Sequence, residues 1–131
     1  MITISVCMIV KDEEMVLERA LKSVERIADE IIIVDTGSTD RTKKIALKYT
    51  DKVYDFVWCD DFAKARNYSF SKATMDYCMW LDADDIISDS DQEGLINLKK
   101  TLSKDTSVVM MKYNAEFDQN NKPTFTYYRE R

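Results

Sequence analysis

Short apolar runs alternate with longer amphipathic segments along most of the chain. The runs are rich in Ile and Val, and all but the third are nearly continuous, with few polar interruptions. Continuous apolar runs of this length are typical of parallel strands that helices cover on both faces. The predicted strands lie at 2–10, 30–35, 52–58 and 77–81.

The amphipathic segments between these runs predict helices. After the first strand, apolar residues recur at helical spacing on one face: Leu17, Ala20, Leu21, Val24 and Ala28. Asp12 is the predicted N-cap of this helix, because a short acidic side chain can accept hydrogen bonds from the free N–H groups there. Further helices are predicted after a cap at Thr39 or Asp40, over 61–74 and over 91–102.

The last part of the chain predicts two strands joined by a turn. Residues 106–117 and 123–131 read as strands, and "DQNNK" between them is typical of a hairpin turn. With the alternating strands and helices before them, they predict an α/β fold: a mostly parallel, Rossmann-like sheet with helices on both faces and a C-terminal antiparallel hairpin. We expect residues 1–131 to form a single domain cut from a longer protein, because the last strand stops without a cap or tail.

The composition excludes several classes of function. The chain is 45% hydrophobic and 33% charged, as in a globular domain. Its net charge of −5 argues against a nucleic-acid partner bound through a basic face. The chain contains no His, which excludes a Ser-His-Asp triad, a His zinc site and a His phosphorelay.

The cysteines and the N-terminus bear on where the protein works. Cys7, Cys59 and Cys78 are far apart and form no CxxC motif, so a reducing compartment is expected. Cys7 and Cys78 lie in apolar strand runs, which predicts that both are buried. The apolar residues 1–10 lack a basic flank and are too short to span a bilayer. We therefore expect a cytoplasmic protein.

Acidic residues follow each of the four predicted parallel strands. Ligands bind at the carboxyl ends of the strands in an open α/β sheet, so these residues meet where a site is expected. Carboxylates held close together repel one another, whereas a hard cation such as Mg²⁺ or Mn²⁺ turns them into a binding site. The residues are Asp12, Glu13, Asp35, Asp60, Asp61, Asp82, Asp84 and Asp85.

The Asp-x-Asp spacing in "MWLDADD" gives the metal hypothesis a geometric basis. Residues i and i+2 of a turning segment can point to the same side, so Asp82 and Asp84 could face one ligand together. The alternative is a structural loop, in which Asp84 or Asp85 turns the chain and Ser88 or Asp89 begins the next helix. The spacing alone leaves both open. An EF-hand is excluded, because its sixth position would need a Gly.

Two further stretches offer groups for a ligand. In "VDTGSTDRT" (34–42), Asp35 could accept hydrogen bonds from a base or ribose, and Gly37 permits a close approach of the backbone. For residues 38–40 an ordinary strand-to-helix turn is favoured. Arg66, in "AKARNYS", could balance the acidic site and bind a base carbonyl or a phosphate, although a solvated arginine is the ordinary state. Neither a P-loop nor a GxGxxG pattern is present.

Taken in order, four stretches of the chain resemble family 2 glycosyltransferases, which have the GT-A fold. They are "SVCMIVKDEEMVLERALKSV", "EIIIVDTGSTDRT", "FAKARNYSFSKAT" and "WLDADD", the last of which is similar to the DxD motif of that family. Their order and spacing agree over about residues 2–90. The resemblance implies transfer of a sugar from a nucleoside-diphosphate sugar, usually a UDP-sugar, to an acceptor hydroxyl, with inversion at the anomeric carbon.

The same resemblance implies roles for individual residues. Asp84 would be a ligand of Mn²⁺ or Mg²⁺, and Asp82 would contact the ribose or share the metal. The metal would act as a Lewis acid toward the departing nucleoside diphosphate. Asp35 would face the base, usually uracil, with Arg66 beside it. The segment from Val10 to Glu13 would line the nucleotide pocket.

The resemblance leaves the acceptor side of the reaction open. The catalytic base of such enzymes follows the DxD region on the acceptor side, so we expect it beyond Arg131. Three acidic residues lie in that direction without a motif to support them: Glu116, Asp118 and Glu130. The acceptor could be a glycan, a protein or a lipid. Exposed aromatic residues at 125–128 would favour a homodimer, which we leave open.

A response-regulator receiver domain is the main alternative from another class. It would use Asp12 and Glu13 after the first strand, Asp60 as phosphoacceptor and Lys112 after the fifth strand. Against it, Asp82 stands where receivers place a Ser or Thr, and no Pro follows Lys112. The second alternative is a non-catalytic fragment that keeps the fold.

Overall fold

The computed structural model describes residues 1–117, 119–120 and 122–130. Strands and helices alternate along the chain, as the hydrophobic pattern predicts. Their bounds are β1 Ile4–Val10, α1 Leu17–Val24, β2 Glu30–Asp35, α2 Thr42–Ala46, β3 Val53–Asp55, α3 Phe62–Ser71, β4 Tyr77–Trp80, α4 Asp89–Thr101, β5 Met110–Phe117 and β6 Pro123–Glu130. Among these residues, no helix combines the length and the apolar character that crossing a membrane requires.

The first four strands form one parallel sheet in the order β3-β2-β1-β4. β1 lies inside the sheet, with Val10 opposite Asp35 of β2 and Cys7 opposite Trp80 of β4. A receiver domain places its third strand beside its first, so the observed order excludes that alternative. The direction in which strands are added reverses between β1 and β4, and a ligand crevice forms at such a point in open sheets.

Helices cover both faces of the sheet, because successive side chains of a strand point to opposite sides. One face packs against α1, α2 and α4 around a core that includes Val6, Met8, Val10, Leu17, Leu21, Ala46 and Leu95. The other face packs against α3 around Cys7, Ile32, Val34, Tyr68 and Phe70. The predicted α/β architecture, with a mostly parallel sheet between helices, is confirmed.

Cys78 corrects one expectation about the core. Cys7 is buried as predicted, whereas Cys78 is exposed. β4 is at the edge of the described sheet, and α3 packs mainly over β1 and β2. The α3 side of β4 therefore opens into a cavity of about 760 Å³, whose lining includes Arg66, Cys78 and Trp80.

The C-terminal strands form the predicted antiparallel hairpin. β5 pairs with β6, and Tyr113 lies opposite Tyr127 across the pair. Met111 of β5 packs against the core that α1 and α4 also share. Residues 111 and 113 therefore occupy the side of the hairpin that faces the rest of the domain.

Candidate active site at the carboxyl edge of the sheet

The predicted site residues meet at one edge of the sheet. Because β1, β2 and β4 are parallel, the loops that follow them leave on the same side. The loop after β4 carries three aspartates, and residues 82–85 are called the acidic loop below. It lies next to the end of β1, where the strand order reverses.

The acidic loop is both a turn and a cluster of oxygen donors. One carboxylate oxygen from each of Asp82, Asp84 and Asp85 lies within 4.8 Å of the others. The Asp85 amide donates to the Asp82 carbonyl at 3.0 Å, and Ser88 caps α4 by accepting from the Asp91 amide. The structural-loop hypothesis therefore describes the backbone correctly. The side chains nevertheless supply the hard oxygen donors that suit Mg²⁺ or Mn²⁺.

Glu13 lies in the electrostatic field of this loop. Burial raises the pKa of its carboxyl, and nearby negative charges raise it further, in the order Asp84, Asp40, Asp12 and Asp82. The end of β1 and the acidic loop thus act on each other electrostatically. A bound cation would offset this repulsion between carboxylates.

Arg19 is a basic neighbour of the acidic loop that sequence reasoning missed. From α1, its Nη2 donates to the backbone carbonyl of Asp84 at 3.5 Å, a long and exposed hydrogen bond. Helical periodicity assigns Arg19 to the polar face of α1. Nothing in the sequence indicates that this face meets a loop 65 positions away.

Asp35, at the end of β2, is almost completely buried. Its Oδ1 accepts from the backbone N–H groups of Gly37 at 2.9 Å and Ser38 at 2.8 Å. Gly37 has a φ of 112°, which favours glycine at this tight turn. Among the described residues, no donor reaches Asp35 Oδ2. A buried oxygen without a partner is rare and fits an N–H group brought by a ligand.

Val10, the last residue of β1, lies beside this aspartate in the sheet. It is buried in the core, opposite Asp35 in the strand register, and its carbonyl accepts from the Thr36 amide at 3.0 Å. Its side chain thus packs inward, and its backbone ties the end of β1 to the loop after β2.

The loops after β1 and β2 are joined by hydrogen bonds in both directions. Asp12 Oδ1 accepts from the Thr39 amide at 2.7 Å, while the Asp12 amide donates to Ser38 Oγ at 2.9 Å. The predicted N-cap role of Asp12 is therefore wrong: α1 begins only at Leu17, and Asp12 has a φ of 51° that turns it toward the other loop. The N-cap of α2 is Arg41 rather than the predicted Thr39 or Asp40, although Asp40 Oδ1 accepts from the amide of Thr42, the first residue of α2, at 2.9 Å.

Arg66 reaches the strand that carries the acidic loop. Its guanidinium carbon lies 4.2 Å from the centroid of the Trp80 ring, a cation–π contact. Trp80 is the last residue of β4 and precedes Asp82 by two positions. The predicted role of Arg66 beside the base stays a prediction.

The profile of glycosyl transferase family 2 matches residues 5–131. The chain belongs to this family. Membership confirms the resemblance carried by the four motifs.

Two relatives match this chain over only part of their own length. A TPR repeat-containing protein of Synechococcus elongatus is 47% identical over 85 residues, which are 65% of this chain and 21% of that protein. An uncharacterized glycosyltransferase of Rickettsia typhi is 36% identical over 92 residues, which are 70% of this chain and 31% of that protein. The chain therefore spans less than a third of the length of these relatives.

A solved structure confirms the GT-A fold of this chain. Glucosyl-3-phosphoglycerate synthase from Mycobacterium tuberculosis, crystallised with Mn²⁺ and UDP-glucose, is 26% identical with a TM-score of 0.56. The match covers 65% of this chain and 34% of that one. The predicted Rossmann-like GT-A sheet is therefore correct.

The expected catalytic base beyond Arg131 stays a prediction. Asp118 and Arg131 lie outside the described residues, and so do the side chains of Glu116, Glu130 and residues 125–128.

Proposed function

We propose that this chain is the donor-binding domain of a metal-dependent, inverting glycosyltransferase that uses a UDP-sugar. In this proposal residues 1–131 form one domain of a longer protein, and the acceptor is bound elsewhere. The observation that carries it is the acidic loop, whose carboxylates gather within 4.8 Å at the point where the strand order reverses. The synthase from M. tuberculosis supports it, because it was crystallised with UDP and Mg²⁺ and with UDP-glucose and Mn²⁺.

Asp84 and Asp82 are the proposed ligands of Mn²⁺ or Mg²⁺. Asp84 is the exposed member of the acidic loop, so its carboxylate can reach an ion that also touches phosphate oxygens. Asp82 is half-buried and can share the ion or accept from a ribose hydroxyl. A bound cation supplies Lewis-acid stabilisation of the departing nucleoside diphosphate.

Asp35 is the proposed acceptor for the uracil N–H. Its Oδ1 is committed to the backbone, which leaves Oδ2 as a buried acceptor without a partner among the described residues. An N–H group from the base would supply the missing hydrogen bond. Val10 ends the strand beside it, Glu13 lies in the loop that follows that strand, and Arg66 adds positive charge near β4.

Inversion requires a direct displacement at the anomeric carbon. An acceptor hydroxyl attacks the face opposite the leaving diphosphate, and a carboxylate base takes its proton. The proposal places that base beyond Arg131. The isolated chain is therefore expected to bind the donor without transferring the sugar, and donor binding is the property to test.

The test is the titration of UDP into the protein by calorimetry, with and without saturating Mn²⁺. We expect Mn²⁺ to strengthen UDP binding by about tenfold or more, which corresponds to about 1.4 kcal/mol. Asp84→Asn should remove this gain, because it replaces an anionic ligand by a neutral one. Asp89→Asn is the matched control, since it removes the same charge from an exposed residue outside the acidic loop.

Two results would contradict the proposal. One is the absence of UDP binding in both conditions, and the other is an Mn²⁺ effect that survives in Asp84→Asn. Comparing UDP-sugars with GDP-sugars in the same experiment identifies the base. The cytoplasmic location and the homodimer stay predictions from the sequence.

A further inference from the structure

The C-terminal hairpin contacts the acidic loop through the hydroxyl of Tyr113. Tyr113 of β5 donates its hydroxyl to Asp85 Oδ1 at 2.6 Å. This length is typical of an O–H group that donates to an ionised carboxylate, which is among the stronger hydrogen bonds in proteins. The contact joins two segments that are 28 positions apart in the chain.

Asp85 in turn forms hydrogen bonds with the backbone of Asp82. Its second oxygen, Oδ2, accepts from the Asp82 amide at 3.2 Å, and its own amide donates to the Asp82 carbonyl at 3.0 Å. Asp85 therefore holds the backbone of Asp82 at both its N–H and its C=O. Both oxygens of Asp85 already accept protein hydrogen bonds, so this carboxylate is better suited to positioning than to binding an ion.

The hairpin holds the backbone of Tyr113 in a fixed position. Its strand pairs with β6 on either side of the tyrosine, and Met111 on the same side of β5 packs against the core. A hydroxyl carried by a paired strand constrains its acceptor more than one carried by a loop.

We propose that Tyr113 is a positioning residue for the metal-binding loop: it orients Asp85, and Asp85 in turn fixes Asp82 beside Asp84. The inference rests on the proposed function, since it concerns the same metal and the same donor. It adds a residue outside the DxD motif that determines how well the two ligands are preorganised before the ion binds.

The variant to test is Tyr113→Phe, which keeps the ring and removes only the hydroxyl. The affinity for UDP is measured by calorimetry with and without Mn²⁺. We expect Mn²⁺-supported binding to weaken by about 5- to 30-fold, which is less than the roughly 10- to 150-fold of a direct hydrogen bond to a charged group because Tyr113 acts on the ligands only through Asp85. Binding of UDP without Mn²⁺ should weaken much less, because the base contact at Asp35 does not depend on the loop.

Amide hydrogen exchange provides a second measurement that does not depend on UDP. Loss of the tyrosine hydroxyl should loosen Asp85, so the Asp82 amide should exchange faster in Tyr113→Phe than in the wild-type protein. Asp85→Asn supplies a double-mutant cycle. If Tyr113 acts through Asp85, adding Tyr113→Phe to Asp85→Asn weakens Mn²⁺-supported binding no further.

Tyr49→Phe is the matched control for the loss of a tyrosine–carboxylate hydrogen bond. Tyr49 donates its hydroxyl to Glu18 at 3.0 Å, away from the acidic loop. The Tyr49→Phe variant should lower the melting temperature as Tyr113→Phe does. Its Mn²⁺-supported affinity for UDP should stay at the wild-type value.

The positioning role is overturned if Tyr113→Phe matches Tyr49→Phe in Mn²⁺-supported binding and leaves exchange at Asp82 unchanged. It is also overturned if UDP binding weakens equally with and without Mn²⁺. A failure of the proposed function looks different, because the wild-type protein itself would then show no Mn²⁺ effect on UDP binding.

Discussion

A buried aspartate normally satisfies both carboxylate oxygens, because leaving one without a partner costs about 1–3 kcal/mol. Asp35 satisfies one of them through the backbone of Gly37 and Ser38, and the other has no partner among the described residues. The turn that follows β2 fixes the side chain, so the second oxygen cannot rotate toward another donor without breaking these bonds. The unpartnered oxygen supports the proposal that Asp35 binds a ligand.

Asp35→Asn should weaken UDP binding with and without Mn²⁺ by about 5- to 100-fold. The amide keeps an oxygen for Gly37 and Ser38 and places an NH₂ donor where the base would also bring a donor. Calorimetry with and without Mn²⁺ distinguishes this variant from Asp84→Asn. Asp84→Asn should lose only the Mn²⁺-dependent gain in UDP affinity. Asp51→Asn, at an exposed position before β3, is the control. Unchanged UDP affinity in Asp35→Asn would remove the base contact from the proposal.

Residues near one another in sequence could be assigned to the site, while their distant partners could not. Asp82 and Asp84 share a motif, so their spacing could suggest a common ligand, although the spacing alone left a structural loop open as well. Tyr113 and Arg19 approach the acidic loop only because β5 and α1 pack beside it. Neither residue carries a local pattern that distinguishes it from an ordinary strand or helix residue.

Among the elements, β2 was predicted within its observed bounds because its run is apolar on both faces. α1 begins five residues later than its predicted cap, since Asp12 bonds to the loop after β2 instead. Cys78 is exposed because the covering helix α3 packs mainly on neighbouring strands. The hydrophobic pattern therefore predicts which segments are strands, but not which neighbour covers each one.

A buried glutamate joins several elements at the opposite, amino edge of the sheet. Glu30 accepts from Ser5 Oγ at 2.8 Å, from the Thr74 amide at 2.9 Å and from Lys52 Nζ at 2.7 Å. Burial alone would raise the pKa of its carboxyl, but these hydrogen bonds lower it to about 2. The charged form of Glu30 therefore stabilises the junction of β1, β2, β3 and the turn before β4.

Glu30→Gln should lower the free energy of unfolding at pH 7 by about 2–3 kcal/mol. The native pKa is below the usual 4.5, so the stabilisation is complete above that pH and is lost as the pH falls from 4.5 to about 2. Urea unfolding at pH 7 and at pH 3 measures this, and the difference between variant and wild type should shrink at pH 3. Glu25→Gln, at an exposed position, should show no such change. An equal difference at both pH values would contradict the assignment.

At the scale of the whole molecule, the two edges of the sheet differ in how their charges are arranged: opposite charges pair at one edge, and like charges gather at the other. At the amino edge, Glu30 pairs with Lys52, and Asp29 pairs with Lys99 at 2.6 Å. At the carboxyl edge, the acidic loop gathers like charges, and their field raises the pKa of Glu13. One edge thus contributes to stability, while the other is arranged at some cost to the free protein, as binding sites often are.

This difference between the two edges predicts that Asp84→Asn has opposite effects on the stability of the free and of the ligand-bound protein. Without ligand, removing one of three crowded charges relieves repulsion, so the melting temperature should rise by about 1–3 °C. With Mn²⁺ and UDP at about 100 times their dissociation constants, the wild-type protein gains about 2.7 kcal/mol, or roughly 10 °C, and the variant should gain much less. Thermal unfolding in both conditions measures whether the variant melts above the wild type without ligand and below it with ligand. Asp89→Asn is the control. A lower melting temperature for ligand-free Asp84→Asn would mean that the loop is built for stability rather than for an ion.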